Sequence, residues 1–567
     1  MASISARKPR DDPILSRRQI ETLIADGRKI IIKNGKVLKV DAWLPYHPGG
    51  DKAILHIIGR DATIEANALH SADALQRMDK FQIGRIEGRW ENFIPPIQGG
   101  KFKKLEEDTI EWPSLDTDDQ SSSSAESLVD EDIFEESDEQ RLRRRRTEAT
   151  RSTSRATSAT SLSSNEGIDQ KRTDAGIASL DARTQKELDF DLAKYPPLDP
   201  TTQQNIVQKY HLLDERLHAE GLYQCNYTAY LIELIRYAFL FTLFLYFLHH
   251  GWYIPSAMSL GCFWHQLTFT AHDAGHMGIT HSYHTDTIIG IIIADFLGGM
   301  SEGWWKRNHN VHHIITNSPE HDPDIEHMPF FAISHRFFSS LRSTYYDREM
   351  TYDPVARFML QFQHYLYYPI LTFARFNLYF LSWDYILRGL GPRKGPAAWH
   401  RWLELAGQLF FWTWFGYLTV YRSIPTGWDR FAFFMVCHMI PMVVHVQITL
   451  SHFAMSTSDL GPAESFPQRM LRTTMDVDCP EWLDFFHGGL QFQAVHHLFP
   501  RMPRHNLRRA QKLVIEFCEE VGIPYALLGF VEGNKEVIGR LGDVARQAKI
   551  LAECQRVVST QADMGMH

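Results

Sequence analysis

Histidine residues gather in three short clusters after residue 270. They are His272-Asp-Ala-Gly-His276 (the first cluster), His309-Asn-Val-His312-His313 (the second cluster) and Gln493-Ala-Val-His496-His497 (the third cluster). Residues three or four positions apart lie on one face of a helix, so each cluster directs its imidazoles toward a common point. Imidazole nitrogen is a good ligand for iron, zinc or copper. Because burying so many titratable side chains beside hydrocarbon costs free energy unless they coordinate something, the clusters predict a metal site.

Two further histidines lie in the N-terminal part of the chain. His47 opens the turn His47-Pro-Gly-Gly50 between a strand-like run and a helix, and His70 ends a later helical segment. Pro-Gly-Gly alone is ordinary turn chemistry and says little about function. The longer pattern is more specific, because HPGGDKAILHIIGRDATIEANALHS is followed by FQIG at 81–84.

This longer pattern resembles the cytochrome b5 fold over nearly all of residues 15–95. The resemblance implies a haem b group with His47 and His70 as axial ligands on opposite faces. A six-coordinate haem has no open position for dioxygen, so its implied role is one-electron transfer. The glycines of the turn are expected to let the backbone pass close to the haem edge. His56 is not at a family ligand position and is interpreted as a surface or packing residue.

The chain divides into four segments by composition. Residues 15–95 alternate short β-like and helical runs, which predicts a small α+β domain. Residues 99–200 are rich in Ser, Thr, Asp, Glu and Arg. Such a segment buries too little apolar area to offset its ordering entropy, so we predict a disordered, solvated linker. Residues 225–530 form an apolar, histidine-rich domain, and residues 531–567 form a C-terminal tail.

Four apolar segments after residue 230 are close to the length of about 20 residues that crosses a bilayer. They form two hairpins and are Leu231–Leu248, Trp252–Thr270, Leu403–Val420 and Phe431–Leu450. Two more apolar stretches, Thr287–Met300 and Phe362–Leu381, are too short or too interrupted and are predicted to be interfacial or re-entrant. An even number of crossings places the α+β domain and all three clusters on one membrane face. The N-terminus has no apolar signal-peptide core, so that face is predicted to be cytosolic.

Charge and cysteine content exclude other classes of function. The net charge of −9 comes largely from the acidic run 126–139, and nucleic acid is not an expected partner. The six cysteines form no CxxC pair, which fits a reducing compartment and argues against a sulfur-ligated metal.

The surroundings of the clusters resemble one enzyme family. AHDAGH, WWKRNHNVHHIITNSPEHDPDI and GGLQFQAVHHLFPRMPRHNL are similar to the membrane fatty-acyl and sphingolipid desaturases, specifically to the cytochrome b5-fused front-end group whose third cluster begins with Gln. The implied fold is an all-α polytopic membrane domain with four transmembrane helices and a di-iron centre. The resemblance implies that two non-haem irons are held by His272, His276, His309, His312, His313, His496 and His497.

Two further ligand assignments stay open at this point. Gln493 either coordinates iron weakly through its amide oxygen or hydrogen-bonds a bound water. His452, in ITLSHFAM, occupies about the place where the family supplies an additional ligand. His281 and His284 compete for that role, although a solvated loop is the preferred interpretation for them. Residues flanking the clusters are expected to orient a lipid head group or to dock the haem domain, and they are Trp304, Trp305, Asp322, Asp324 and 501–509. For the tryptophans and arginines among them, membrane anchoring is the alternative.

An unactivated C–H bond offers no acidic proton and no electrophile, so a metal-bound oxidant is required. The resemblance implies dioxygen as co-substrate and electrons from NADH, passed through a separate NADH–cytochrome b5 reductase to the haem. It also implies an endoplasmic reticulum membrane location. The long linker and the residue sequences of the clusters resemble those of fungal sphingolipid Δ8 desaturases, which act on the long-chain base of ceramide. The alternatives are a Δ5 or Δ6 front-end acyl-lipid desaturase, a b5-fused lipid hydroxylase, and a haem-binding membrane sensor with a decayed enzyme domain.

Overall fold

The computed structural model describes residues 12–93 and 180–564, with side chains described as far as Glu553. Residues 12–93 form the N-terminal domain, a three-stranded antiparallel sheet in the order β1-β2-β3 with short helices packed on it. Its small core includes Ile20, Ile30 and Val37, which are fully buried. The predicted α+β domain is therefore confirmed. Its elements are α1 (Arg17–Ala25), β1 (Ile30–Lys33), β2 (Lys36–Lys39), α2 (Asp51–Leu55), α3 (Thr63–Leu69), α4 (Ala72–Met78) and β3 (Gln82–Arg85).

Residues 180–564 form the helical domain, whose first half carries the first and second clusters. The first cluster lies at the end of α8, and the second lies on α10. Ser301 caps α10 by accepting the backbone N–H of Trp304 at 3.0 Å, which fixes where this helix begins. The elements of this half are α5 (180–194), α6 (Pro200–Ala219), α7 (Tyr227–His249), α8 (Tyr253–Gly275), α9 (Tyr283–Ile291) with a π-helical continuation (Ile292–Leu297), α10 (Glu302–Ile314), β4 (Arg342–Ser343) and β5 (Arg348–Glu349).

The second half carries His452 at the end of α16 and the third cluster on α19. The buried carboxylate of Asp476 accepts the backbone N–H of Ala494 at 2.7 Å and so caps α19. The elements are α11 (Pro354–Gln361), α12 (Gln363–Thr372), α13 (Ala374–Arg388), α14 (His400–Phe411) with a π-helical continuation (Trp412–Arg422), α15 (Gly427–Met439), α16 (Met442–Phe453), α17 (Phe466–Thr473), β6 (Asp476–Asp478), α18 (Asp484–His487), α19 (Gln493–Leu498), α20 (Leu507–Val521), β7 (Leu527–Gly529) and α21 (Phe530–Met564).

Two candidate membrane spans occur among the described residues. They are α7 and the run Gly427–Phe453, which joins α15 and α16. Large apolar side chains on α7, such as Leu231 and Ile235, are exposed, as contact with lipid requires. A third candidate is Tyr283–Leu297 with Glu302–Ile314, a pair bent by 117°, which agrees with the predicted re-entrant segment. The other two predicted spans are helical, as α8 and α14, but they are less apolar. The number of four transmembrane helices stays a prediction.

The C-terminal boundary of the predicted linker needs correction. Residues 94–179 lie outside the described residues, but 180–200 are ordered, with α5 over 180–194. Asp191 is buried and its carboxylate lies 3.4 Å from the guanidinium of Arg472, and Tyr195 joins a core with residues of α6 and α19. The partners of this polar segment lie hundreds of residues away along the chain, so local composition alone misassigns it.

The C-terminal segment assigned as a tail is part of the helical domain. α21 covers Phe530–Met564 and packs against α11, α12 and α16. Val537, Leu541, Val544 and Ala548 are buried at the i, i+4, i+7 and i+11 positions of one face. This face closes the side of the domain next to α16, which carries His452.

Candidate di-iron and haem sites

The three clusters converge in the helical domain. Ligand nitrogens of His272, His276, His309 and His496 lie within 4.8 Å of one another, and we call these four residues group 1. They come from the end of α8, from α10 and from α19. The i, i+4 spacing of the first cluster places both of its imidazoles on one face of α8, while the second and third clusters each supply one imidazole to this group. Chain segments more than 200 residues apart therefore supply one potential metal site.

A second group lies beside the first. His312, His452 and His497 also place their ligand nitrogens within 4.8 Å of one another, and we call them group 2. His313 lies between the two groups, because its ring centroid is 4.7 Å from that of His276 and 4.3 Å from that of His497. His452, which the sequence left open, is thus brought together with members of the second and third clusters.

The chemistry of these side chains fits metal ions. Among the histidines of group 1, group 2 and His313, five buried imidazole nitrogens have no hydrogen-bond partner within the described residues, and they are His276 Nε2, His313 Nδ1, His452 Nδ1, His496 Nε2 and His497 Nε2. An unpaired buried polar atom costs free energy unless a ligand completes it. Burial, reinforced by neighbouring imidazoles, lowers the pKa of His496 and His497 well below the usual value. Neutral imidazole is the form that binds a metal.

The N-terminal domain holds the second candidate site, between His47 and His70. Their ring centroids are 5.9 Å apart. His47 Nδ1 lies 2.6 Å from the carbonyl oxygen of Gly50, and His70 Nδ1 lies 3.0 Å from that of Ala66. Donation of each Nδ1–H to a carbonyl fixes the tautomer and leaves both Nε2 atoms for a metal. Burial lowers the pKa of His70 to about 3, so this imidazole is neutral. The pair fits the two axial positions of a haem.

Comparisons with known proteins identify two domain families in this chain. The profile described as cytochrome b5-like haem/steroid binding domain matches residues 16–87, and the profile described as fatty acid desaturase matches residues 250–529. A protein named Delta 8-(E)-sphingolipid desaturase from Emericella nidulans is 60% identical over 98% of this chain and 99% of its own length. The chain belongs to the fatty acid desaturase family.

Other relatives of this desaturase support the same membership. A Kluyveromyces lactis protein, also named Delta 8-(E)-sphingolipid desaturase, is 49% identical over 97% of this chain and 96% of its own length. A sunflower (Helianthus annuus) protein named Delta(8)-fatty-acid desaturase is 40% identical over 52% of this chain and 63% of its own length. The desaturase is therefore an oxidoreductase of a membrane enzyme family with a fused cytochrome b5 domain. The family uses iron and dioxygen, and its cytochrome b5 domain binds haem.

Asp322 orients a histidine of group 2. Its buried carboxylate lies 2.9 Å from His312 Nδ1 and accepts the backbone N–H groups of Asn317 and Asp324. This arrangement holds Nδ1–H of His312 and leaves Nε2 for a metal. From the sequence, Asp322 was expected to orient a lipid head group or to dock the haem domain, whereas in the structure its carboxylate bonds His312. The sequence feature that could have indicated this contact is the His321-Asp-Pro-Asp324 motif, in which Asp322 lies ten residues after His312.

Asp324 is placed differently. Its carboxylate lies 3.5 Å from His309 Nδ1 and 3.8 Å from His312 Nδ1, so it faces one histidine of each group. Ligand atoms of His309, His312 and Asp324 lie within 4.8 Å of one another. Asp324 is therefore the one carboxylate among the described residues that joins the histidines in such a group, and it supplies negative charge between the two candidate metal positions.

The arginines of residues 501–509 have separate contacts. Arg504 is buried and its guanidinium binds the carboxylates of Asp273 and Glu233. Asp273 follows His272 directly in the chain, so this ion-pair network holds the end of α8 in place. Arg508 binds Asp484, and Arg501 donates to the carbonyl oxygen of His70 at 2.7 Å. Of these three arginines, only Arg501 forms a hydrogen bond with the N-terminal domain. This is the contact expected of a residue that docks the haem domain.

Trp305 packs against the candidate metal site. Its ring stacks on His309 with centroids 4.5 Å apart and meets His272 and His276 at 5.3 Å. A Cβ at Gly275 would lie 2.0 Å from the Trp305 ring, so only glycine fits there. The interpretation of Trp305 as a membrane anchor is replaced by a role in shaping the site.

Two sequence candidates, His281 and His284, remain apart from both groups, and a third, Gln493, lies on the helix that carries the third cluster. His281 bonds the carbonyl oxygens of Met277 and Tyr223, and His284 lies 3.3 Å from His400. Neither histidine contributes to group 1 or group 2. Gln493 is buried at the first residue of α19, one turn before His497. Its role as an iron ligand stays a prediction.

A substitution at His452 tests the membership of group 2. We expect His452→Ala to lower the non-haem iron bound per chain by about half and activity by at least tenfold, because it removes a direct ligand rather than a supporting contact. His445→Ala is the matched control, since His445 lies on the same helix but in neither group. Metal analysis of the two purified variants measures the difference. Equal iron content in the His452→Ala and His445→Ala proteins would show that His452 is not an iron ligand.

Proposed function

We propose that this desaturase introduces a trans double bond at the Δ8 position of the long-chain base of ceramide or a related sphingolipid. The observation that carries the proposal is the identity of 60%, over 98% of the chain, to a protein named Delta 8-(E)-sphingolipid desaturase. The two histidine groups and the haem-type histidine pair in the same chain supply the chemistry that such a reaction needs.

The proposed reaction takes one hydrogen from each of two adjacent methylene carbons. One dioxygen, two electrons and two protons are consumed, and two waters form with the double bond. Two irons, when bound by groups 1 and 2 with His313, supply the oxidising chemistry that an unactivated C–H bond requires. The proposed ligands are His272, His276, His309, His312, His313, His452, His496 and His497, with Gln493 close to them.

The chain's own residues position this chemistry. Asp322 holds the tautomer of His312, and the Arg504 network holds the end of α8. Phe269, Val444 and Leu490 form a small buried apolar cluster near the histidines. Phe269 lies three residues before His272 on α8, and we propose that this cluster forms part of the wall along which the methylene groups lie. An apolar wall excludes water and lets position decide which carbons react.

Electrons are proposed to arrive through the N-terminal domain. NADH would reduce a separate NADH–cytochrome b5 reductase, the reductase would reduce the haem between His47 and His70, and the haem would supply the irons one electron at a time. The proposed location is the endoplasmic reticulum membrane, with both candidate sites on the cytosolic face. The N-terminal domain contacts α10, which carries the second cluster, in agreement with a shared face.

Lipid analysis tests the proposed substrate. We expect a yeast that lacks both Δ8 long-chain-base and front-end fatty acid desaturation to accumulate Δ8-unsaturated long-chain bases when it expresses this chain. The measurement is mass spectrometry of hydrolysed sphingolipids and of total fatty acids, with empty vector as control.

Each alternative gives a different product. New double bonds in fatty acids with none in long-chain bases would identify a Δ5 or Δ6 acyl-lipid desaturase and overturn the proposal. A product that gains one oxygen atom would identify a hydroxylase. No lipid change from a chain loaded with haem and iron would favour a sensor.

A further inference from the structure

We propose that the N-terminal domain docks on the helical domain in one specific orientation, which brings the loop of each axial histidine against a segment that carries iron-ligand histidines. The main part of the docking surface consists of α2 with its preceding turn on one side and of α10 with residues 344–347 on the other. Arg501, which donates to the carbonyl oxygen of His70, adds a contact outside this part. This inference rests on the proposed function for its purpose, electron delivery, but the surface itself is defined by contacts.

Close packing is the first observation. Ala53 and Ile54 of α2 share a buried apolar cluster with Val311 and Ile315 from α10 and the residue that follows it. A Cβ at Gly50 would lie 2.7 Å from Arg307 Cγ, and a Cβ at Gly49 would lie 2.8 Å from Asn310 Nδ2. Because neither glycine has a side chain, α10 can pack directly against the turn. From the sequence, these glycines were expected to let the backbone pass close to the haem edge.

Charge complementarity is the second observation. Asp51 accepts from Arg307 Nε at 3.0 Å, and Lys52 Nζ lies 2.5 Å from the Asp347 carboxylate and 3.0 Å from the carbonyl oxygen of Thr344. The two ion pairs have opposite polarity, because α2 supplies the acid, Asp51, in the first pair and the base, Lys52, in the second. Docking with the direction of α2 reversed would oppose like charges, so the pairs specify one orientation.

A third contact comes from a neutral side chain. His56 Nε2 lies 2.8 Å from Thr344 Oγ1, and His56 Nδ1 lies 2.6 Å from the carbonyl oxygen of Lys52. Burial lowers the pKa of His56 to about 4, so it docks as neutral imidazole near pH 7. His56, expected from the sequence to be a surface or packing residue, lies between the two domains.

The loops of His47 and His70 each form a hydrogen bond with a segment next to a histidine cluster. The carbonyl oxygen of Gly49, two residues after His47, accepts from Asn310 at 3.3 Å, and Asn310 follows His309 of group 1. The carbonyl oxygen of His70 accepts from Arg501, four residues after His497 of group 2. The docked orientation therefore brings both haem-site loops into direct contact with segments that carry proposed iron ligands.

Charge reversal at one ion pair tests the docking surface in the full-length holoenzyme. We expect Lys52→Asp or Asp347→Lys alone to slow reoxidation of the pre-reduced haem, in air with ceramide, by about fivefold to tenfold, because an attraction is replaced by a repulsion. The double variant should recover to within about twofold of wild type, since it restores the pair in reverse. Stopped-flow haem absorbance measures the rate, and an unchanged static haem spectrum shows that the domain is folded.

The control applies the same change elsewhere. Lys209 and Glu520 form an ion pair within the helical domain, at 2.5 Å, and reversing either charge should leave haem reoxidation unchanged. Hydrogen exchange of the α2 peptide gives a readout that needs no substrate, with faster exchange expected in each single variant and wild-type protection in the double variant. Single variants that match wild type in both readouts would overturn the docking surface. Normal docking readouts in a wild type that makes no Δ8 product would instead overturn the proposed function.

Discussion

Replacing His312 with alanine is expected to lower desaturation at least a hundredfold while leaving the haem spectrum unchanged. His312 belongs to group 2, where its ring centroid lies 4.6 Å from that of His452 and 4.8 Å from that of His497. Removing it leaves two histidines for that metal position. It also leaves the Asp322 carboxylate buried without the imidazole it bonds, which adds a cost in stability. Product analysis and the ratio of non-haem iron to haem measure both consequences.

Asp322→Asn is the graded control for this substitution. Asparagine keeps the size of the side chain but removes the charge that holds Nδ1–H of His312. Loss of such a supporting partner costs about tenfold to a hundredfold in metal affinity or activity. We therefore expect the order wild type, Asp322→Asn, His312→Ala in both iron content and product. A His312→Ala protein with wild-type activity and iron would contradict the assignment of group 2.

The second large loss of activity is expected from a substitution at the haem site. His47→Ala removes an axial ligand, so the N-terminal domain should lose its low-spin haem spectrum and the enzyme should lose at least about nine-tenths of its NADH-dependent product. Non-haem iron should remain, because His47 lies outside groups 1 and 2. Optical spectra, metal analysis and lipid analysis of the same preparation measure these three quantities.

A rescue experiment separates electron supply from misfolding. Excess free cytochrome b5 added to the His47→Ala protein should restore part of the activity if the membrane domain is intact, whereas the His312→Ala protein should not respond. Full activity of His47→Ala without any addition would mean that an external haem carrier suffices. The fused domain would then have no required role in electron transfer.

The sequence by itself determined the features that depend on neighbours along the chain. Helical spacing placed the two imidazoles of the first cluster on one face of α8, and the turn at His47 with the later His70 indicated the haem domain. The prediction that each cluster points to a single position was wrong for the second and third clusters, because each of them supplies one histidine to group 1 and another to group 2. The helices and the tight turn themselves could be predicted because each is specified by a few consecutive residues. Similarity to a known family then linked the clusters to iron and dioxygen.

The tertiary structure alone decided which distant side chains meet. His452 joins His312 and His497 only because α16 packs beside α10 and α19, and the polar segment 180–200 is ordered by Arg472 from far along the chain. Asp322 and Trp305 were visible as flanking residues, but their contacts with His312 and His309 depend on how a loop and a helix fold back. Spacing along a chain fixes direction within one element, whereas convergence of several elements is set by the packing of their apolar faces and buried ion pairs.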